Sequence, residues 1–216
     1  MSVATLDDLQ DRLDADLSWR RIELTALYNV VRSHCGLSAS SPAARVLCRS
    51  LITISYAHWE GYVKTATSNY VSYLKKRRIK VDEANEGLAF AHLTRLFKAA
   101  NSGDSTARSE LISIAAGGSA RIHRLDVAEL TNTKSNLRFS VLDEISRGLS
   151  IKFEFFETKK ERIDRELCDR RNDIAHGQYL DVDFDSVSDT FNFVMDALQE
   201  WNNLVYRSAA DRHYMR

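Results

Sequence analysis

Residues 162–180 read RIDRELCDRRNDIAHGQYL, and the periodicity of this charged stretch decides how the rest of the chain is read. At about 100° per residue, Ile163, Leu167 and Ile174 fall within roughly 40° of one another and form a stripe that faces a core. Asn172 and His176, four residues apart, lie on the opposite side. Arg171 sits between, about 100° from Asn172, where a long arm reaches the same groove. Gly177 is the expected stop.

The polar residues gathered on the outward face have a shared chemical capacity. A histidine at the C-terminal end of a helix stands in the negative end of the macrodipole, and its side chain can exchange a proton near neutral pH. Arg171 keeps its charge, and its planar fork matches phosphate oxygens better than a lysine does. Asn172 can orient the imidazole or donate to a substrate oxygen. Spacing alone does not single this set out, because Arg207 and His213 repeat a similar interval near the C-terminus. The ordinary reading of such residues is a histidine capping the last carbonyls and Arg171 with Asp173 as a solvated charge cluster.

Three strings in chain order carry a resemblance. RNDIAHG at 171–177 is similar to the Arg-polar-x-x-x-His signature of the HEPN superfamily (higher eukaryotes and prokaryotes nucleotide-binding domains), with Asn directly after Arg. SYAHWEGYVK at 55–64 resembles the long helix of the prokaryotic HEPN-like nucleases related to the RiboL-PSP branch, and TKSNLRFSVL at 133–142 resembles their middle segment. The resemblance implies an all-α, HEPN-type helical bundle with long central helices and an irregular middle insertion. It also implies a metal-independent endoribonuclease working as a homodimer on RNA, in a toxin–antitoxin or antiphage setting. On that reading Arg171, His176 and Asn172 are the catalytic set, with Glu60, Asp173 and Tyr179 as supporting candidates. Some HEPN domains are inert modules that bind a nucleotide or a protein, which is the alternative. Tyr179 also resembles the tyrosine that certain HEPN toxins offer to a nucleotidyltransferase for AMP transfer. There it usually follows His by two residues, and here by three. An antitoxin or such a nucleotidyltransferase is the partner these readings imply.

Composition sets the limits. The chain has 216 residues and 30 basic against 30 acidic side chains, so any phosphate site is local rather than a product of bulk charge. The length suits one domain, residues 1–216, with a sizeable core. Cys35, Cys48 and Cys168 show no C-x-x-C spacing, so a reducing cytoplasm is expected. The acidic N-terminus does not read as a signal peptide, and no run of 18 apolar residues marks a membrane span. No H-E-x-x-H, EF-hand loop or paired carboxylate set is present. The pattern therefore recommends no metal and no cofactor.

With eight Gly and one Pro, breakers are scarce and the fold is mainly helical. Leu6, Leu9, Leu13, Leu17, Leu24, Leu27 and Val31 predict a helix over 6–34, and Arg20, Arg21 and Glu23 within it read as a solvated face. Ser41 before Pro42 predicts an N-cap and a long central helix over 42–78, apolar on most of its surface. His58 falls in its apolar stripe and reads as a core histidine. A narrow polar face holds Arg49, Thr53, Glu60 and Lys64. Glu60 and Lys64 read as an i,i+4 pair, or else Glu60 reaches a site residue on a neighbouring helix. Lys75, Lys76, Arg77, Arg78 and Lys80 form the densest basic run, either a solvated helix end or a candidate RNA contact.

Beyond it come a helix over 83–100, a break at 101–105, a short helix to Ala116 and a turn at Gly117-Gly118. Arg121, His123 and Arg124 are too scattered to read as a site. Further helices are expected over 136–147, 159–176 and 183–208, with an extended run from Ile151 to Phe156. The seam Phe184, Val187, Phe191, Val194, Leu198, Trp201, Val205 reads as intramolecular core rather than a dimer coiled coil.

Overall fold

A computed structural model describes residues 3–38 and 41–216. Three long helices make the frame: α1 (Leu6–Ser38), α2 (Pro42–Leu74) and, at the end of the chain, α8 (Phe184–Ala210). Between them lie α3 (Glu86–Asn101), α4 (Ser105–Ala115), α5 (Val127–Leu130) and α6 (Phe139–Leu149), then a π-helical stretch, Arg162–Asp169, that runs directly into α7 (Arg170–Ala175). Among the described residues no sheet forms, only the isolated pairings Lys80 with Arg121 and Ala84 with Met215. Among the described residues no helix is long and apolar enough to cross a membrane.

The three-and-four rhythm of α1 buries Leu9, Leu13, Leu17, Leu24 and Val31. α1 and α2 pack antiparallel, as Arg20 bonding to the His58 carbonyl and Cys35 lying against Cys48 show. Ser41 caps α2 through Ala44 N–H. On α8 the seam residues Val187, Val194, Leu198, Trp201 and Val205 are all fully buried, and α8 packs on both α1 and α2. The seam is therefore intramolecular core. Trp59 at the centre of α2 is fully buried, with the rings of Phe156 and Trp201 at 5.6 and 6.5 Å.

Several expectations are corrected. α2 ends at Leu74, not Arg78: the basic run follows in a turn, with Arg78 in the left-handed region at φ 53°. Arg20 is not on a solvated face. It is 8% exposed, bonds Asp16 and the His58 carbonyl, and lies over the Trp19 and Tyr62 rings. It fits there because α2 has Gly61 at the crossing, where a Cβ would stand 2.8 Å from its Nη1. The run Ile151–Phe156 is not extended at its end, because Phe156 N–H turns back to the Phe153 carbonyl and stacks the three phenylalanines toward Trp59.

The stretch over 162–176 is helical but not uniform. Arg170 N–H reaches the Arg165 carbonyl, five residues back, and this wider turn buries Cys168 together with Ile163 and Leu167. A uniform α-helix places Cys168 about 100° away from that stripe.

Candidate active site at the α2–α7 groove

The site is assembled by the three strings. Tyr56 of α2 is buried, and its hydroxyl accepts from Leu137 N–H at 2.7 Å. The Leu137 carbonyl in turn accepts from Cys168 Sγ at 3.4 Å. One residue of the middle string therefore bridges the central helix and the motif helix. The next two hold it in place: Arg138 pairs with Asp169, and Phe139 N–H, first in α6, donates to Asp164 Oδ1 at 2.8 Å. Burial pushes the Tyr56 hydroxyl up and the Cys168 thiol up to about 12, so both remain protonated, and Tyr56 acts as a neutral platform.

On that platform lies Arg171. Its guanidinium carbon is 4.2 Å from the Tyr56 ring centroid, Nη2 is 3.7 Å from Glu60 Oε2, and Nη1 donates to Asn172 Oδ1 at 2.8 Å. A cation over an aromatic face contributes about 0.5–2 kcal/mol, and the carboxylate, at ion-pair distance, adds its charge attraction. Glu60 thus pairs across to α7 rather than along α2 with Lys64.

The helix end is shaped by a Schellman motif. Gly177 adopts φ 74°, its N–H bonding the Ile174 carbonyl while Gln178 N–H bonds the Asp173 carbonyl. Arg49 of α2 donates to the Gln178 carbonyl at 2.9 Å, docking this end against the central helix. The backbone carbonyls are thereby satisfied without the His176 side chain. His176 is exposed, and no described group bonds its ring. The capping role open to it is already filled.

Beside it runs a groove of about 290 Å³ lined by Val46, Arg49, Ser50, Thr53, Ile54 and Ile174. Val46 is 61% exposed and Ile54 37%. Asp173 is half-buried, and Tyr179 stands out into solvent at 77% exposure.

The basic run is elsewhere. Lys75, Lys76, Arg77 and Arg78 lie beyond the far end of α2, about 39 Å along its axis from Arg49 at 1.5 Å per residue. Arg77 stacks on Tyr73 at 4.3 Å and donates to the Ala4 carbonyl. Lys75 borders Arg95 and Arg124. This run and His176 do not share a face. Nothing local in the sequence marks Tyr56 or Leu137 as part of this site. Arg49 was visible as part of the narrow polar face, but its docking role was not.

A family model described as RiboL-PSP-HEPN matches residues 15–205. Neither curated proteins nor solved structures gave a match.

Proposed function

From the premise that this chain belongs to the RiboL-PSP-HEPN family, we propose that it is a metal-independent endoribonuclease acting as a homodimer, with Arg171, Asn172 and His176 as its chemistry. Membership makes an RNA-directed, nuclease-like role the general expectation. The observation that carries the finer reading is the contrast within one short helix: a guanidinium pinned by Tyr56, Glu60 and Asn172, and, five residues on, an imidazole with no partner.

The reaction is a transesterification. As the ribose O2′ bonds to phosphorus, its proton passes to an imidazole. The bond to O5′ breaks, and that oxygen takes a proton from the imidazolium so formed. The products are a 2′,3′-cyclic phosphate and a 5′-hydroxyl. Arg171 stabilises the charge gathered on the non-bridging oxygens. Glu60 keeps it aimed, and Asn172 aligns the fork. Asp173 and Tyr179 border the site without a contact that assigns them a step.

Arg171 and His176 point about 140° apart around α7, which favours a site shared by two copies. The exposed Val46 and Ile54 lining the groove support a covering surface there. Such a pairing places two imidazoles and two guanidinia about one two-fold axis. The exposed Tyr179 hydroxyl favours a second reading, a binding module or an acceptor of AMP from a nucleotidyltransferase. Purified protein incubated with labelled RNA in chelator, beside His176→Ala, separates the two. Cyclic-phosphate ends from wild type alone support the nuclease, and intact RNA or equal cutting by the variant removes it.

A further inference from the structure

The middle insertion holds a second cluster of chemistry-bearing side chains, remote in sequence and unused by the site above. His92 of α3, Glu110 of α4 and His123 in the loop that follows bring their ligand atoms within 4.8 Å of one another. We propose that these three residues bind one divalent transition-metal ion of the zinc class, with a fourth position open to solvent beside His123.

The distances fit an ion better than they fit hydrogen bonds. His92 Nε2 lies 3.8 Å from Glu110 Oε1, and His123 Nδ1 lies 3.5 Å from the same oxygen. Both are too long for a good hydrogen bond. A tetrahedron of bonds about 2.0–2.1 Å long puts its ligand atoms roughly 3.3 Å apart. Two imidazoles with one carboxylate select zinc, nickel, cobalt or copper over calcium and magnesium, which prefer oxygen ligands.

The burial gradient suits an entry path. His92 is 0% exposed, and its Nε2 has no hydrogen-bond partner, an arrangement that is costly in a folded interior. Glu110 is half-buried and His123 is 53% exposed. His123 Nδ1 also lies 2.9 Å from the Arg121 carbonyl, a contact given up when that nitrogen turns its lone pair to the ion. Arg124 N–H donates to His92 Nδ1 at 3.3 Å. When Nε2 takes the ion its proton moves to Nδ1, and that long bond is released.

A role follows from packing. α3 and α4 share a small core of their own, Leu96, Ala100 and Ala107, while Phe90, Phe97 and Ile112 remain exposed. Elements with so little to bury gain most from a cross-link, and this ion ties α3, α4 and the 121–124 loop together.

The test is independent of ribonuclease activity. Chelator-stripped full-length protein is titrated with zinc chloride by calorimetry, and thermal unfolding is followed with and without the ion. One ion per chain and a raised midpoint are expected, with His123→Ala and Glu110→Gln each weakening binding on the order of 10–100-fold or more. Cobalt(II) added to the stripped wild type should give the intense visible bands of a tetrahedral ion, which needs no variant to fold. Absence of stoichiometric uptake, unchanged affinity in both variants, or the weak spectrum of six-coordinate cobalt would overturn the assignment.

Discussion

The two ends of α2 differ in a way that charge counting conceals. Beyond its C-terminal end stand Lys75, Lys76, Arg77 and Arg78, the densest cations in the chain, exposed and facing different neighbours: a tyrosine ring and the Ala4 carbonyl for Arg77, a groove edge for Lys75. Toward its N-terminal half a single arginine from α7 is clamped on three sides, and an unbonded histidine follows one turn later. Charge attracts a polyanion wherever it is placed. Chemistry on a phosphodiester requires a donor held in one direction beside a group free to move a proton. The N-terminal half has both, whereas at the basic end the one clamped guanidinium, Arg77, is spent on the Tyr73 ring and the Ala4 carbonyl.

Substitutions sharpen that contrast, all read as single-turnover cleavage of labelled RNA. His176→Ala removes the proton carrier and is expected to cost about 10²–10⁴-fold. Arg171→Lys keeps the charge but loses the fork and the stacked plane, a loss on the order of 10²-fold. Glu60→Gln leaves Arg171 in place but loosens its aim, for roughly a tenfold loss, the equivalent of about 1.4 kcal/mol. Lys75→Ala with Lys76→Ala should change cleavage of a short RNA by less than about threefold while lowering its salt sensitivity. If that double variant proves as damaging as Glu60→Gln, the comparison between the two ends fails.

Between those ends sits His58, 3.2 Å from Glu23 Oε2. Burial foremost, with Arg20 adding to it and Glu23 opposing, holds His58 below the ordinary histidine value of 6.5. The folded state therefore binds fewer protons than the unfolded one just below that value, and stability falls as pH drops through it. Glu23→Gln takes away an opposing charge, so the fall should be steeper. Urea midpoints at pH 7.5 and 5.5 for both proteins decide this, and a shallower dependence in the variant would contradict it.

Much of the frame was legible because it rests on local rules. The leucine rhythm of α1, Ser41-Pro42 opening α2, Asp183 capping α8 and Gly177 closing α7 each encode their own element. What escaped was set by tertiary contact. Apolar spacing cannot report that the hydrogen bonds over 162–169 widen, so Cys168 was not placed in the core. Arg20 looked solvated because nothing local shows Gly61 opening a berth for it. Glu60 had an obvious partner in Lys64 and takes Arg171 instead, which only the antiparallel docking of α7 on α2 decides. The His92, Glu110 and His123 cluster comes from three separate segments, and no spacing announces it.

The central claim is that one cleavage site is built from two chains, and a mixed dimer tests it most directly. Arg171→Ala and His176→Ala chains, co-expressed with different tags and purified as a heterodimer, contain one intact pairing of an arginine from one protomer with a histidine from its partner. The account predicts RNA cleavage by this heterodimer while each variant homodimer is inactive. A heterodimer as inert as its parents, beside an active wild type, would place the whole site within a single chain and contradict it.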